Sequence, residues 1–208
     1  MTLILTAPYL KKLPSIIASI FVRLGTNATL SEDKLTAFVS NRSGARVDHG
    51  KIAGKWYWEA RLKNQADFST TVKDALGPWI GVALNGFPMN NVTLSVLTST
   101  PYQYIMLNAS SLGTYTDIYN FKTKTDSQVP APKQGDVIGI ALDMDARTLQ
   151  FYCNGVKIGV LQTFPAGQRF WPNVAGNNEG TLSETEFNFG ASPFAFPVPE
   201  GFNPGYYL

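Results

Sequence analysis

The chain has 208 residues, of which 44% are hydrophobic and 12% aromatic, enough apolar material for the core of one domain. Lys and Arg number 17 against 15 Asp and Glu, so the net charge of +2 gives no sign of the basic surface typical of nucleic-acid-binding proteins. No run approaches the ~20 apolar residues that a membrane-spanning helix needs. The one cysteine, Cys153, excludes an intramolecular disulfide and is interpreted as a small buried hydrophobe.

Residues 1–27 differ in pattern from the rest of the chain and are interpreted as an N-terminal leader. TLILT predicts a short strand, and the apolar run SIIASIFV after Pro14 is compatible with a helix or a strand. The run is short and no small-residue cleavage pattern comes after it, which argues against an export signal. Two interpretations stay open: the leader packs on the main domain, or it docks onto another subunit.

The main domain, residues 28–208, is predicted to be all-β, because short strand signals succeed one another and helix signals are few. Each signal is bounded by Gly, Pro, Asn, Asp or Ser, the pattern expected of a β-sandwich or barrel. The ten candidate strands are residues 34–40, 46–47, 55–62, 79–84, 104–108, 137–143, 149–153, 156–161, 170–174 and 185–189.

The strand GKWYWEARL alternates Trp56 and Trp58 on one face with Tyr57 and Glu59 on the other. Aromatic residues that alternate within a strand are more often core than a platform for sugar stacking. We therefore expect Trp56 and Trp58 to face the interior.

A hairpin is predicted from residue 135 to residue 159, GDVIGIALDMDARTLQFYCNGVKIG. Its first strand is apolar on both faces and should be buried, and its second strand alternates and should be half-exposed. Asp143 and Asp145 are expected to bond backbone amides in the connecting turn, with Arg147 balancing their charge. Asn154-Gly155 is a strong signal for a second tight turn.

The sequence offers no convincing catalytic constellation. The single histidine, His49, lies in no G-x-S-x-G context. Glu184 and Glu186 share a strand face but are interpreted as solvated edge charges, and the DMD at 143–145 is explained by a turn without calcium. We therefore predict that the protein is not an enzyme and that it uses no cofactor and no metal.

Several motifs in the same order resemble the SPRY domain: GKWYWEARL, WIGVAL, the hairpin, FWPNVAG, and FNFGASPFAF with PEGF. The resemblance covers roughly residues 31–205. It implies a bent antiparallel β-sandwich, similar to the concanavalin A-like jelly rolls, that serves as a non-catalytic recognition module. Function is not fixed by such a fold.

In SPRY-like domains, partners usually bind loops at one end of the sandwich, which points here to four segments where the strand pattern lapses. These are residues 64–78, 85–101, 108–133 and 175–183. Four tyrosines lie in or near the third of these segments. Tyrosine is well suited to a binding surface, but the same tyrosines could instead pack a long loop against the sheet. The candidate binding residues are Asp67, Lys73, Asp74, Tyr102, Tyr104, Tyr115, Tyr119, Asn177 and Asn178.

Two functions compete. A compact SPRY-like module with a short apolar leader resembles bacteriophage structural proteins, which predicts a virion protein of a head or tail fibre that displays loops to a host glycan or protein. Its partners would be other virion proteins, its location the virion, and its state a homo-oligomer, with a trimer favoured. The alternative is a cytoplasmic adaptor that captures a peptide of a protein partner. Neither function involves nucleic acid or a membrane.

Overall fold

A computed structural model of the protein describes residues 19–64, 78–92, 103–109, 114–121, 123–176 and 182–207. These residues form strands and turns without a helix, so none offers a helix that could cross a bilayer. The strands make two sheets, which are antiparallel except for one short strand that pairs in parallel. The seven-stranded sheet consists, in spatial order, of β1 (Phe21–Leu24), β4 (Gly44–Val47), β13 (Trp171–Ala175), β6 (Trp79–Ala83), β7 (Tyr104–Asn108), β8 (Tyr115–Asn120) and β9 (Thr123–Pro130).

The second sheet has eight strands and faces the first. In spatial order it consists of β12 (Val156–Thr163), β11 (Thr148–Cys153), β10 (Val137–Asp143), β5 (Lys55–Asn64), β14 (Ser183–Asn188), β3 (Thr36–Val39) and β2 (Ala28–Leu30), with β15 (Asn203–Pro204) beside β5. The predicted all-β sandwich is confirmed. Alternating residues of both sheets point inward, as two stacked sheets require.

The main core lies between the sheets. Trp58, on the central strand β5, is fully buried, and Trp56 is partly buried at the margin of the core. Phe21, Phe187 and Phe189 stack or meet edge to face, with ring centroids 4.8–5.7 Å apart. The predicted inward face of the GKWYWEARL strand is therefore confirmed.

The predicted hairpin is also confirmed, with β10 buried along its whole length and β11 half-buried. Asn154 and Gly155 adopt positive φ angles of 49° and 78°, as a tight hairpin turn requires. At the first turn, Asp143 accepts from the amides of Asp145 and Ala146 at 3.0 and 2.8 Å. The structure differs from the prediction that Arg147 balances the charge of Asp143: Asp143 forms its ion pair with Lys55, at 3.0 Å.

Two parts of the sheet differ from the sequence prediction. Segment 108–133, expected to be a loop, contains the hairpin of β8 and β9, which closes one edge of the seven-stranded sheet. At the other edge, β1 comes from the end of the leader and pairs with β4. The described end of the leader is thus a strand of the domain.

The outer face of the eight-stranded sheet is covered by residues 191–196. Glu59, almost fully buried there, accepts hydrogen bonds from the amides of Ala195 and Phe196 at 2.8 and 3.0 Å and from the Tyr57 hydroxyl at 3.1 Å. Gly139 leaves room for Tyr57, because a Cβ at this glycine would lie 2.6 Å from the Tyr57 hydroxyl oxygen. This cover explains why β10 is buried on both faces.

The outer face of the seven-stranded sheet carries a second buried cluster. Segment 84–92 leaves β6 and crosses this face, and its Phe87 and Met89 are buried against the sheet. Phe87 meets Tyr104 edge to face at 5.7 Å. Segment 84–92 therefore acts as a third layer over this half of the sandwich.

The two ends of the described chain meet. The amide and hydroxyl of Ser19 both donate to the Tyr206 carbonyl oxygen, at 3.0 and 2.6 Å. Tyr206 is buried, and its own hydroxyl donates to the Phe170 carbonyl oxygen at 2.8 Å. These bonds join the first and last described segments to the same side of the core.

Candidate functional site

The connections between strands gather at one end of the sandwich, which we call the loop end. Three backbone hydrogen bonds fix it: Ala109 to Pro78 at 2.8 Å, Gly176 to Ser43 at 2.5 Å, and Val92 to Arg42 at 2.9 Å. Each of these bonds joins two different connections. Strands β6 and β13 are antiparallel, so β6 begins where β13 ends, at this end of the sheet.

All four predicted binding segments reach the loop end. The described margins of three of them are Pro78 for segment 64–78, Ala109 for segment 108–133 and Gly176 for segment 175–183. Segment 85–101 reaches it at Val92, after crossing the outer face. Six predicted binding residues lie outside the described residues: Asp67, Lys73, Asp74, Tyr102, Asn177 and Asn178.

The three described tyrosines of the prediction are placed differently from one another. Tyr115, at the start of β8, is 52% exposed at the loop end. Tyr104 and Tyr119 are buried on the outer face of the seven-stranded sheet, where Tyr119 meets Trp79 edge to face at 5.4 Å. Burial, and secondarily the nearby Tyr119, raises the pKa of Tyr104 well above its usual value. The structure therefore differs from the expectation that Tyr104 and Tyr119 present their rings to a partner.

Tyr115 is anchored at the start of its strand, and a second exposed apolar side chain lies at the same end of the other sheet. The next residue, Thr116, donates from its hydroxyl to the Asn108 carbonyl oxygen at 2.6 Å, which fixes the start of β8 against β7. Leu182, at the end of the 175–183 connection, is 48% exposed. Tyr115 on one sheet and Leu182 on the other thus expose apolar area and a hydroxyl at the same end of the sandwich, as interface residues commonly do.

Sequence reasoning missed a serine, histidine and aspartate that come together in space. Ser19 Oγ lies 3.2 Å from His49 Nε2, and His49 Nδ1 lies 2.7 Å from Asp48 Oδ1. A nucleophile must be accessible and its proton must pass to the base. Ser19 is fully buried and its hydroxyl donates to the Tyr206 carbonyl oxygen, so the arrangement holds the chain ends and does not expose a nucleophile.

The other residues considered for catalysis or metal binding do not form a reactive site either. Glu186 pairs with Lys63 at 3.5 Å on the outer face, and its strand β14 lies inside the sheet rather than at an edge. Burial, followed by the charge of Asp136, raises the pKa of Cys153 to about 12, which leaves a poorly nucleophilic thiol. Among the described residues, no three His, Cys, Asp or Glu side chains are grouped to hold a metal ion.

A buried polar pair on the outer face of the seven-stranded sheet also escaped the sequence reasoning. Arg46 on β4 stands directly opposite Asn173 on β13. Arg46 is 7% exposed, and it donates to the backbone and side-chain oxygens of Asn85 at 2.8 and 2.9 Å. Asn173 is fully buried, and neither its amide nitrogen nor its amide oxygen has a partner. Unpartnered buried polar atoms are rare enough to need a reason.

Comparisons with known proteins agree with this architecture. Solved structures with the same fold include the SPRY domain of human HERC1, with a TM-score of 0.62 at 15% identity over 80% of this chain and 96% of that one. The TRIM65 PSpry domain has a TM-score of 0.59 at 13% identity over 82% of this chain and 88% of that one. At these identities the likeness concerns the fold alone.

A curated relative is the E3 ubiquitin-protein ligase RKP of Arabidopsis thaliana, 38% identical over 73 residues, which are 34% of this chain and 6% of the ligase. The chain thus matches only a small part of that protein. These matches give no support to a bacteriophage origin. The family model of the SPRY domain matches residues 55–191, more than half of the sequence. The chain belongs to the SPRY domain family.

Proposed function

We propose that this chain is a protein-recognition module that captures a short segment of a protein partner at the loop end. The observation that carries the proposal is the exposed Tyr115, fixed at the end of the sandwich where the connections converge. A rigid sheet that presents an aromatic anchor loses little conformational entropy on binding. The proposal favours the adaptor hypothesis over the virion hypothesis.

Two findings support the adaptor hypothesis. SPRY domains are typically protein-binding, and this family assignment covers most of the sandwich. The stretch shared with a ubiquitin ligase is a small part of a much longer protein, as expected for a module that serves a larger one. A cytoplasmic location and a trimeric state stay predictions, and so do binding of a host glycan and attachment to other virion proteins.

Selection from a random peptide display library tests the proposal. We expect selected peptides to lose at least about tenfold in affinity with Tyr115→Ala, because truncating an interface tyrosine commonly costs more than 1 kcal/mol. Ile52→Ala is the matched control, since Ile52 is 62% exposed and lies beside the Lys51–Phe170 bridge at the opposite end. Isothermal titration calorimetry measures the peptide affinity of both variants.

The proposal fails if the library yields no peptide above background. It fails also if selected peptides bind Tyr115→Ala as tightly as the wild type while Ile52→Ala weakens them. A hydrolytic activity towards the peptides would likewise contradict a binding role.

A further inference from the structure

Two arginines, Arg46 and Arg169, lie over the ring of Trp171 on the outer surface of the seven-stranded sheet, and a third, Arg23, lies next to Arg46; we call this region the arginine face. Arg23 on β1 stands directly opposite Arg46 on β4. The guanidinium carbon of Arg46 lies 4.9 Å from the centroid of the Trp171 ring, and that of Arg169 lies 6.0 Å from it. Trp171 begins β13, so the arginine face is at the end of that strand away from the loop end.

Among the described residues, no carboxylate neutralises the positive charges of this face. Arg23 and Arg46 both donate to the same Asn85 carbonyl oxygen, at 3.4 and 2.8 Å. Like charges directly opposite on neighbouring strands destabilise a sheet. Within the described ranges, no carboxylate forms an ion pair with any of the three arginines, and Asp48 is paired with His49.

Burial makes the missing counter-charge costly. Arg46 is 7% exposed, and its Nε has no hydrogen-bond partner. The neighbouring Asn173 adds two more unpartnered polar atoms beneath the same surface. Burial, and then the charge of Arg23, lowers the pKa of Arg46, as expected where no anion stabilises the guanidinium. An anion placed here would relieve both the repulsion and the burial penalty.

The tryptophan positions the arginines and is not itself free to stack on a ligand. The backbone of Gly50 covers its ring so closely that a Cβ at this position would lie 2.6 Å from two ring carbons. Arg46 lies over the ring at cation–π distance. A base or a sugar would need an open aromatic face, whereas a carboxylate needs only the guanidinium groups.

We propose that the arginine face binds an acidic segment, a run of Asp or Glu, of a protein partner. Guanidinium groups bind carboxylates through paired, charge-assisted hydrogen bonds, and Arg23 and Arg169 are exposed and available to make them. Arg46 is buried beneath this surface and adds its positive charge to the attraction for the carboxylates. The surface is separate from the loop end, so the inference does not depend on the peptide capture proposed there.

Binding of a fluorescent oligoglutamate peptide to the full chain, followed by anisotropy, tests this inference. We expect the double variant Arg23→Gln, Arg169→Gln to bind at least about tenfold more weakly, because each exposed guanidinium contributes charge-assisted hydrogen bonds. Arg61→Gln is the matched control: Arg61 is exposed on the outer face of the other sheet and donates to the Gly135 carbonyl oxygen at 3.3 Å. It should bind like the wild type, and so should Tyr115→Ala. Circular dichroism confirms that each variant is folded.

Two competitors decide the chemistry of the ligand. Oligoglutamine of the same length should not compete, and inorganic phosphate should compete only weakly because it offers one charge centre instead of several. Added salt should weaken the complex. Equal binding of oligoglutamine, equal loss in Arg61→Gln, or preferential binding of an oligothymidylate or of phosphate would overturn the proposal.

Discussion

Glu59 and Arg46 are charged side chains buried on opposite outer faces of the sandwich, and the protein partners them in different ways. Glu59, under residues 191–196, accepts three hydrogen bonds, so both carboxylate oxygens are satisfied. Arg46, beside segment 84–92, keeps one donor without a partner and faces a second arginine. The protein itself supplies hydrogen-bond donors to both oxygens of Glu59, whereas Arg46 still has one N–H group that could donate to a ligand.

This contrast separates a structural charge from a candidate for binding. A buried carboxylate that is fully hydrogen-bonded holds a covering segment in place and has nothing further to offer a ligand. A guanidinium that is desolvated but incompletely partnered gains from an incoming anion. The same degree of burial thus indicates different roles on the two faces.

The largest effect is expected from Glu59→Ala, which should lower the free energy of unfolding by about 3 kcal/mol because it leaves buried donors without an acceptor. Urea denaturation measures it. Glu186→Ala removes an exposed carboxylate and should cost at most about 0.5 kcal/mol. Equal losses in the two variants would remove the distinction drawn for Glu59.

The next prediction concerns the rate at which Cys153, on the same sheet as Glu59, reacts with an alkylating reagent. Its raised pKa of about 12 lowers the thiolate fraction at pH 8 about 1000-fold, and the greater nucleophilicity of a high-pKa thiolate offsets only part of this, so alkylation by iodoacetamide should be at least about tenfold slower than that of a free cysteine. Since the pKa is raised, reactivity increases as the pH rises towards 12. Mass spectrometry follows the reaction, and rapid labelling at pH 8 would contradict the assignment.

Asn173→Leu should raise the free energy of unfolding by about 1 kcal/mol, because it removes two buried amide atoms without partners and keeps the volume. Asn188→Leu is the contrasting variant. Asn188 donates to the carbonyl oxygens of Ser192 and Pro193 at 3.0 and 3.1 Å, so its replacement should destabilise the fold by about 1 kcal/mol. A loss of stability in both variants would show that Asn173 is partnered in solution.

The smallest effect is expected from Arg46→Met, which should change the free energy of unfolding by less than about 1 kcal/mol. The methionine gives up the bonds to Asn85 but also removes the desolvation penalty and the repulsion from Arg23. Thermal denaturation at two salt concentrations measures it. A loss as large as that of Glu59→Ala would mean that Arg46 is a structural charge as well.

The sequence predicted the fold where apolar residues alternate strongly, as in β5 and in the β10–β11 hairpin. It missed the β8–β9 hairpin, because TKTDSQVP on the edge strand β9 is exposed over most of its length and carries little hydrophobic signal. A polar edge strand resembles a loop until its partner strand is known.

The binding candidates were harder to predict, for a physical reason. Tyr104 and Tyr119 were expected at a surface because long polar segments flank them, but segment 84–92 covers the face on which they lie. Arg46 and Trp171 come from opposite halves of the chain, and only the pairing of β4 with β13 brings them together. Local patterns cannot show a contact that sheet order creates.

The hydrogen bonds of Ser19 to Tyr206 have a consequence for how such a domain can be used. Because its entry and exit points are neighbours, the sandwich can be inserted into a surface loop of a host polypeptide without pulling the host's flanking segments apart. Joining the two points through a short linker, with new termini opened between β11 and β12, should for the same reason yield a circular permutant that still folds.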